Sequence, residues 1–402
     1  MPVRIPDPYV YLDWAATAPL CEEAATAMEP YQVPGAANLL VGANANSLHA
    51  PGRAAFEALE LARRSIAQDL RASRPNEIVF TSGATEADNA ALIGLAEASV
   101  AARNQREGGT FVPHVIVSSI EHDAVLMPAR RLQARGWRVT YLDPDAGGFI
   151  RPEALARVLD ADTVLVSIQM ANGEVGAVNH IAKLAALAHE AGALFHTDAV
   201  QALGKVPVDL VALGVDAASF SAHKVCGPKG IGALYLRART PFRAFLEGGG
   251  QEDGRRSGTQ NVAAVVGFAA ACHAAVSLQE AESARERVLR DGLYAALGAL
   301  EGIDATVDVP AGSTDYLPNI VHVLARGLES ETLVLRLDMK GFGVSGGSAC
   351  SSHSLEPSHV LRSLGIDSDR AYGALRVSFG RYTSQADLDA FAAALASCLS
   401  WS

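Results

Sequence analysis

From about residue 76 to residue 236, short apolar runs alternate with segments of helical spacing. Val115-Ile116-Val117-Ser118, Val139-Thr140-Tyr141-Leu142 and Val164-Leu165-Val166-Ser167-Ile168 are continuous runs rich in β-branched residues. Unbroken runs of this length predict strands buried on both faces. Helical patterns fill the gaps at 123–135, 152–159 and 181–191. The rhythm predicts βαβ units and a mostly parallel sheet covered by helices on both sides. Two further runs, at 193–196 and 217–220, each end in a polar motif. Ligands of such sheets bind beyond the carboxyl ends of the strands, so those motifs fall where chemistry is expected.

After Gln260 the pattern changes. An Ala-rich helical stretch continues to about residue 300. It is followed by the run Asn319-Ile320-Val321-His322-Val323, a helical segment at 330–340 and the run Leu375-Arg376-Val377-Ser378-Phe379. This predicts a smaller α+β domain with the first dozen residues packed against it. The boundaries read as a large domain over 15–262 and a small one built from 1–14 and 263–402. The apolar stretch at 262–278 is Ala- and Gly-rich and contains Cys272 and His273, which fits a buried helix better than a membrane span.

Composition narrows the classes. At 402 residues, two domains sharing an interface are the prior. Acidic residues outnumber basic ones 44 to 33, giving a net charge of −11, which argues against nucleic acid as the main partner. The five cysteines are odd in number, widely spaced and form no C-x-x-C pair. They read as reduced thiols in a cytoplasm, with neither a disulfide framework nor a metal site. The N-terminus shows no apolar secretory segment, and no membrane association is expected.

The candidate chemistry centres on Ser221-Ala222-His223-Lys224-Val225-Cys226-Gly227-Pro228-Lys229-Gly230. A lysine at the polar end of a buried strand is placed to be desolvated and to act as a Schiff-base nucleophile. Asp198, in Thr197-Asp198-Ala199-Val200-Gln201, ends the preceding run. One strand-end amine and one strand-end carboxylate meet the needs of pyridoxal phosphate, an aldehyde partner and an anion for the ring nitrogen. Thr81-Ser82-Gly83-Ala84-Thr85-Glu86 follows an apolar run and opens a helix, which makes an anion site of backbone N–H groups. His122, in Glu121-His122-Asp123, has the chemistry to stack on a planar ring and move protons. Alone, each motif has a plainer explanation as a helix cap, a surface turn or an exposed lysine. Their order and joint presence favour the cofactor. Cys350, within Gly347-Ser348-Ala349-Cys350-Ser351-Ser352, has polar neighbours and reads as a reactive, exposed thiol.

Taken together, these motifs resemble the pyridoxal-phosphate-dependent cysteine desulfurases of the class V aminotransferase superfamily, from Tyr11-Leu12-Asp13 to Gly380-Arg381-Tyr382. Gly347-Ser348-Ala349-Cys350 with Leu355-Glu356-Pro357-Ser358 is similar to the subgroup serving iron–sulfur and nitrogenase cluster assembly. The resemblance implies the fold type I transferase architecture, with a mostly parallel seven-stranded sheet in the large domain. It implies that Lys224 binds the cofactor, His122 stacks on its ring as acid/base, Asp198 pairs the ring nitrogen and Gln201 the phenolic oxygen. Ala84, Thr85, Ser221 and His223 would hold the phosphate, with Thr259 reaching in from the second subunit of a homodimer. Asn172 and Arg376 would bind L-cysteine, Arg376 by a bidentate grip on its carboxylate, and Cys350 would accept the sulfur before passing it to an acceptor or scaffold protein. The chain departs from the family pattern at Trp14, Ala18, 44–49, Gly173 and Asn179-His180. Rival readings are another lyase (selenocysteine or C–S) or an aminotransferase on the same scaffold, and a sulfur-relay scaffold without turnover.

Overall fold

The computed structural model describes residues 5, 7–107, 111–346 and 357–399. Its strands in chain order are β1 (Val10–Tyr11), β2 (Ile78–Thr81), β3 (His114–Ser118), β4 (Arg138–Leu142), β5 (Thr163–Ser167), β6 (Leu194–Asp198), β7 (Ala217–Ser221), β8 (Gly232–Leu236), β9 (Ile303–Ala305), β10 (Ile320–Ala325), β11 (Phe342–Gly343) and β12 (Ala374–Ser378). Seven of them form one sheet in the order β2-β8-β7-β6-β5-β3-β4. The strands from β7 to β4 are parallel, and β8 runs antiparallel to both its neighbours, β2 and β7.

The residue pattern explains why the strands read as unbroken apolar runs. Successive side chains point to opposite faces. Val115 and Val117 of β3 enter one core cluster, and Ile116 between them enters the other. In β8, Leu234 goes one way while Ala233 and Tyr235 go the other. With both faces covered, apolar residues dominate each, and the buried polar ones such as His196, Ser167 and Ser219 are hydrogen-bonded to each other. Phe195 and Phe220 are wholly buried, each contributing on the order of 1.5–3 kcal/mol by removal from water.

The second sheet is antiparallel, in the order β12-β10-β9. Val321, Val323, Leu375 and Val377 from it meet Leu333 and Leu337 of the helix Ser330–Asp338 and Leu388, Phe391 and Leu395 of the helix Gln385–Leu399 in a separate core. The 37-residue helix Val262–Gly298 joins the two cores: Val265, Phe268 and Cys272 sit in the first, Leu289, Leu293 and Leu297 in the second. It is long and apolar enough to cross a bilayer by composition, but its apolar residues are divided between these cores. The N-terminal strand β1 pairs in parallel with β11.

Candidate functional site

The carboxyl ends of the parallel strands open into a pocket of about 530 Å³. Ala84, Thr85, His122, Asn172, Asp198, Gln201, Ser221, His223, Lys224 and Arg376 all line it. They come from the ends of β2, β3, β5, β6 and β7 and from β12 of the second sheet, so ten residues spread over almost three hundred positions converge.

The turn after β2 starts the helix Ala84–Glu107, whose N-terminus faces the pocket. Glu86 shapes this turn: its carboxylate accepts from the Ser82 N–H at 2.8 Å and takes the Arg256 guanidinium at 2.8 and 3.2 Å. Gly232 of β8 lies under it. A Cβ there would stand 2.5 Å from the Phe220 carbonyl and 2.8 Å from Gly83, so only glycine allows this approach.

His122 caps the helix Asp123–Ala134, its Nδ1 accepting from the Ala124 N–H at 3.0 Å. The plain capping explanation and the pocket position therefore both hold. Because Nδ1 is an acceptor, the neutral ring carries its proton on Nε2. Asp198 ends β6 and is buried, and its Oδ1 accepts from the Val200 N–H at 2.9 Å. Burial raises its pKa, and the Val200 bond with nearby His122 and Lys224 pulls it back. Two more buried carboxyls stand close. Asp88 is pushed well up by burial and then by Asp198, and Glu121 by burial and, less strongly, by Asp198. Such an acidic recess suits a protonated ring nitrogen.

Lys224 Nζ donates to the carbonyls of Ala15 at 2.5 Å and Ala16 at 2.8 Å. Lys224 and Asp198 border the same pocket. Gln201 donates through Nε2 to the Ala15 carbonyl at 3.0 Å, while its buried Oε1 has no partner among the described residues. His223 Nδ1 lies 3.1 Å from Thr17 Oγ1, and burial lowers its pKa to about 4.

Arg376 is buried, with Nη1 on the Gly173 carbonyl at 3.0 Å and Nη2 on Asp13 Oδ1 at 2.7 Å. Its Nε is enclosed and has no hydrogen-bond partner among the described residues. Asn172 uses its Oδ1 to accept from the Glu174 and Val175 N–H groups, each at 2.9 Å, so it holds the turn after β5 as well as lining the pocket. Thr259 is exposed and does not line this pocket, and Cys350 lies outside the described residues. Trp14 also lies behind the pocket rather than in it, ring to ring with Tyr382 at 5.8 Å.

Sequence reasoning passed over Asp13, Asp88 and Glu174. Asp88 sits four residues into a helix and reads as a surface acid. Glu174 accepts a 2.7 Å bond from Ser358, and its only signal was its place beside Asn172.

Buried Asp198, the helix N-terminus with Ser221 and His223, and the Lys224 amine all border one cavity of about 530 Å³, a donor set and a size that suit pyridoxal phosphate. The model for aminotransferase class V matches residues 10–391, and the chain belongs to that family, which is pyridoxal-phosphate-dependent. Within it, the chain is 40% identical over 380 residues to the cysteine desulfurase IscS of Dictyoglomus turgidum, spanning 94% of this chain and 92% of that one. It is 42% identical over 382 residues to IscS of Edwardsiella ictaluri, spanning 94% and 90%. Among solved structures, a NifS-like protein superposes with a TM-score of 0.86 at 34% identity, covering 98% of this chain and all of the other. SspA in complex with cysteine gives a TM-score of 0.75 at 32% identity, covering 93% of this chain and 100% of SspA.

Proposed function

We infer that this chain is a cysteine desulfurase with the net reaction L-cysteine plus the Cys350 thiol to L-alanine plus a Cys350 persulfide. The convergence of Lys224 and Asp198 on one pocket carries the reading. Bound pyridoxal phosphate supplies an electrophilic aldehyde and a ring that stores the electron pair released at the α-carbon.

The chain's own residues would do the rest. Lys224 would hold the aldehyde and, once released, carry the α-proton. Asp198 would keep the ring nitrogen protonated, and Gln201 would face the phenolic oxygen. His122 would cover the ring and donate its proton through Nε2. Ala84 and Thr85 at the helix start, with Ser221 and His223, would take the phosphate. His223 stays neutral at ordinary pH and so contributes hydrogen bonds rather than charge. Arg376 would take the substrate carboxylate through its guanidinium where it borders the pocket. Asp13 and Gly173 keep the guanidinium in place for this, and Asn172 borders the same end.

The Cys350 thiolate would then attack the substrate sulfur, and that sulfur would pass to an acceptor such as a cluster-assembly scaffold in the cytoplasm. We read residues 15–262 as the cofactor domain and 1–14 with 263–402 as the small domain. The active form would be a homodimer in which Thr259 completes the phosphate site of the second copy. Its exposure supports this, as do Leu39, Leu40 and Leu48, exposed on the segment that Asn46 ties to Gln260 at 2.9 Å.

The test is incubation of the holoenzyme with L-cysteine, followed by amino-acid analysis and mass spectrometry. Alanine and a one-sulfur gain on Cys350 are expected, and both vanish in Cys350→Ala. Alanine formed at the parent rate by Cys350→Ala would instead indicate a lyase route without a protein thiol.

A further inference from the structure

Lys224 stands between two cavities. The substrate pocket lies on one side; on the other is a cavity of about 60 Å³ lined by Lys205, Cys226, Glu286, Asn319 and Arg381. The lysine lies in the 3-10 turn Ala222–Val225, which leads into Cys226 at a left-handed φ of 63°. Backbone groups hold most of this turn. The Ala222 carbonyl accepts from Gly227 N–H at 2.8 Å, that of His223 from Ala18 N–H at 2.9 Å, and that of Cys226 from Cys21 N–H at 2.9 Å.

The Lys224 carbonyl is bonded differently. It accepts from a side chain, Lys205 Nζ, at 3.1 Å. Lys205 is itself fixed to the long helix that joins the two cores: its carbonyl accepts from Ser283 Oγ at 2.5 Å and Gln279 Nε2 at 3.3 Å. Burial around the amine lowers its pKa, and buried Glu286, three residues beyond Ser283, offsets part of that. A half-buried amine aimed at the peptide of the reacting lysine is costly to hold in place without a purpose.

We propose that Lys205 is a positioning residue for the reaction, setting the rotation of the Ala222–Val225 turn through the Lys224 carbonyl and so the place of Lys224 Nζ over the substrate α-carbon. The proposal rests on Lys224 being the cofactor lysine. Loss of the bond removes the Lys205 side-chain donor from the peptide that carries the reacting amine. Displacement of a reacting group by about 1 Å costs on the order of a hundredfold in rate.

The experiment compares Lys205→Met and Lys205→Arg with the parent, each saturated with pyridoxal phosphate, by visible absorbance, kinetics with L-cysteine and thermal melting. Lys205→Met is expected to lower kcat at least about tenfold with KM for cysteine within about twofold. Its visible cofactor band should shift or redistribute, and Lys205→Arg should restore most of kcat and the parent spectrum. If Lys205→Met does not fold, Ser283→Ala loosens the anchor while keeping the amine, and the same changes should appear in smaller measure. A folded Lys205→Met (or Ser283→Ala) with the parent's kcat and spectrum overturns the proposal. So does a kcat loss that Lys205→Arg does not relieve and that comes with an unchanged band. A parent without any visible band overturns the cofactor reading itself, and this proposal with it.

Discussion

Arg376 shows how much a single side chain can be prepared in advance. Its charge is balanced by Asp13 and its plane is fixed by the Gly173 carbonyl where the guanidinium borders the pocket. Arg376→Ala is therefore expected to raise KM for cysteine about a hundredfold while leaving the cofactor spectrum of the resting enzyme in place, which steady-state kinetics and absorbance will check. Glu286 makes a different prediction. Burial raises its pKa to about 8. A carboxyl whose folded pKa lies above its unfolded value contributes fully at pH below about 4.5, and that contribution is lost as pH rises through about 8. Glu286→Gln lacks this slope. Its stability relative to the parent should climb between those pH values and then level off, by about 5 kcal/mol at most. Urea melts of both proteins at pH 5 and pH 9 give the comparison, and equal differences at the two pH values would contradict it.

At the scale of elements, the loop that carries Thr259 is secured at its base. Glu252 and Asp253 both adopt left-handed φ values, 52° and 55°. Glu252 is buried against Arg63 at 2.6 and 3.0 Å and accepts from the Phe80 N–H at 3.0 Å. Arg63→Met strands that carboxylate and should cost about 3–5 kcal/mol in a denaturant melt. The parallel strands were legible in the sequence because burial on both faces makes them continuous apolar runs. β1 and β11 were not, since two residues carry no period. The direction of β8 was equally hidden, because pattern reports burial and not orientation. The motif residues at strand ends were legible for a topological reason: in such a sheet, polar residues directly after an apolar run fall at the mouth. Lys205 and Asp88 were illegible, because their charge suggested solvent, whereas tertiary packing buries Asp88 and half-buries Lys205.

For the whole molecule, the pocket takes its floor from the large sheet and Arg376 from the second, so the two units must keep their relation for substrate to bind. The long helix running through both cores provides that continuity. Assembly yields a complementation test. If Thr259 serves the neighbouring copy, mixing Lys224→Ala with Thr259→Ala chains places an intact lysine and an intact threonine at one of two sites in each hybrid dimer. Activity should rise above the sum of the two variants toward about a quarter of the parent's. No gain on mixing would place Thr259 in service of its own chain or of none.

The cap formed by His122 has a consequence for proton traffic. The imidazole nitrogen that would receive a second hydrogen is the one gripping the first turn of the helix behind it. Charging the ring therefore means unseating that turn, and a ring so tethered is better suited to give up the hydrogen it already carries than to collect another.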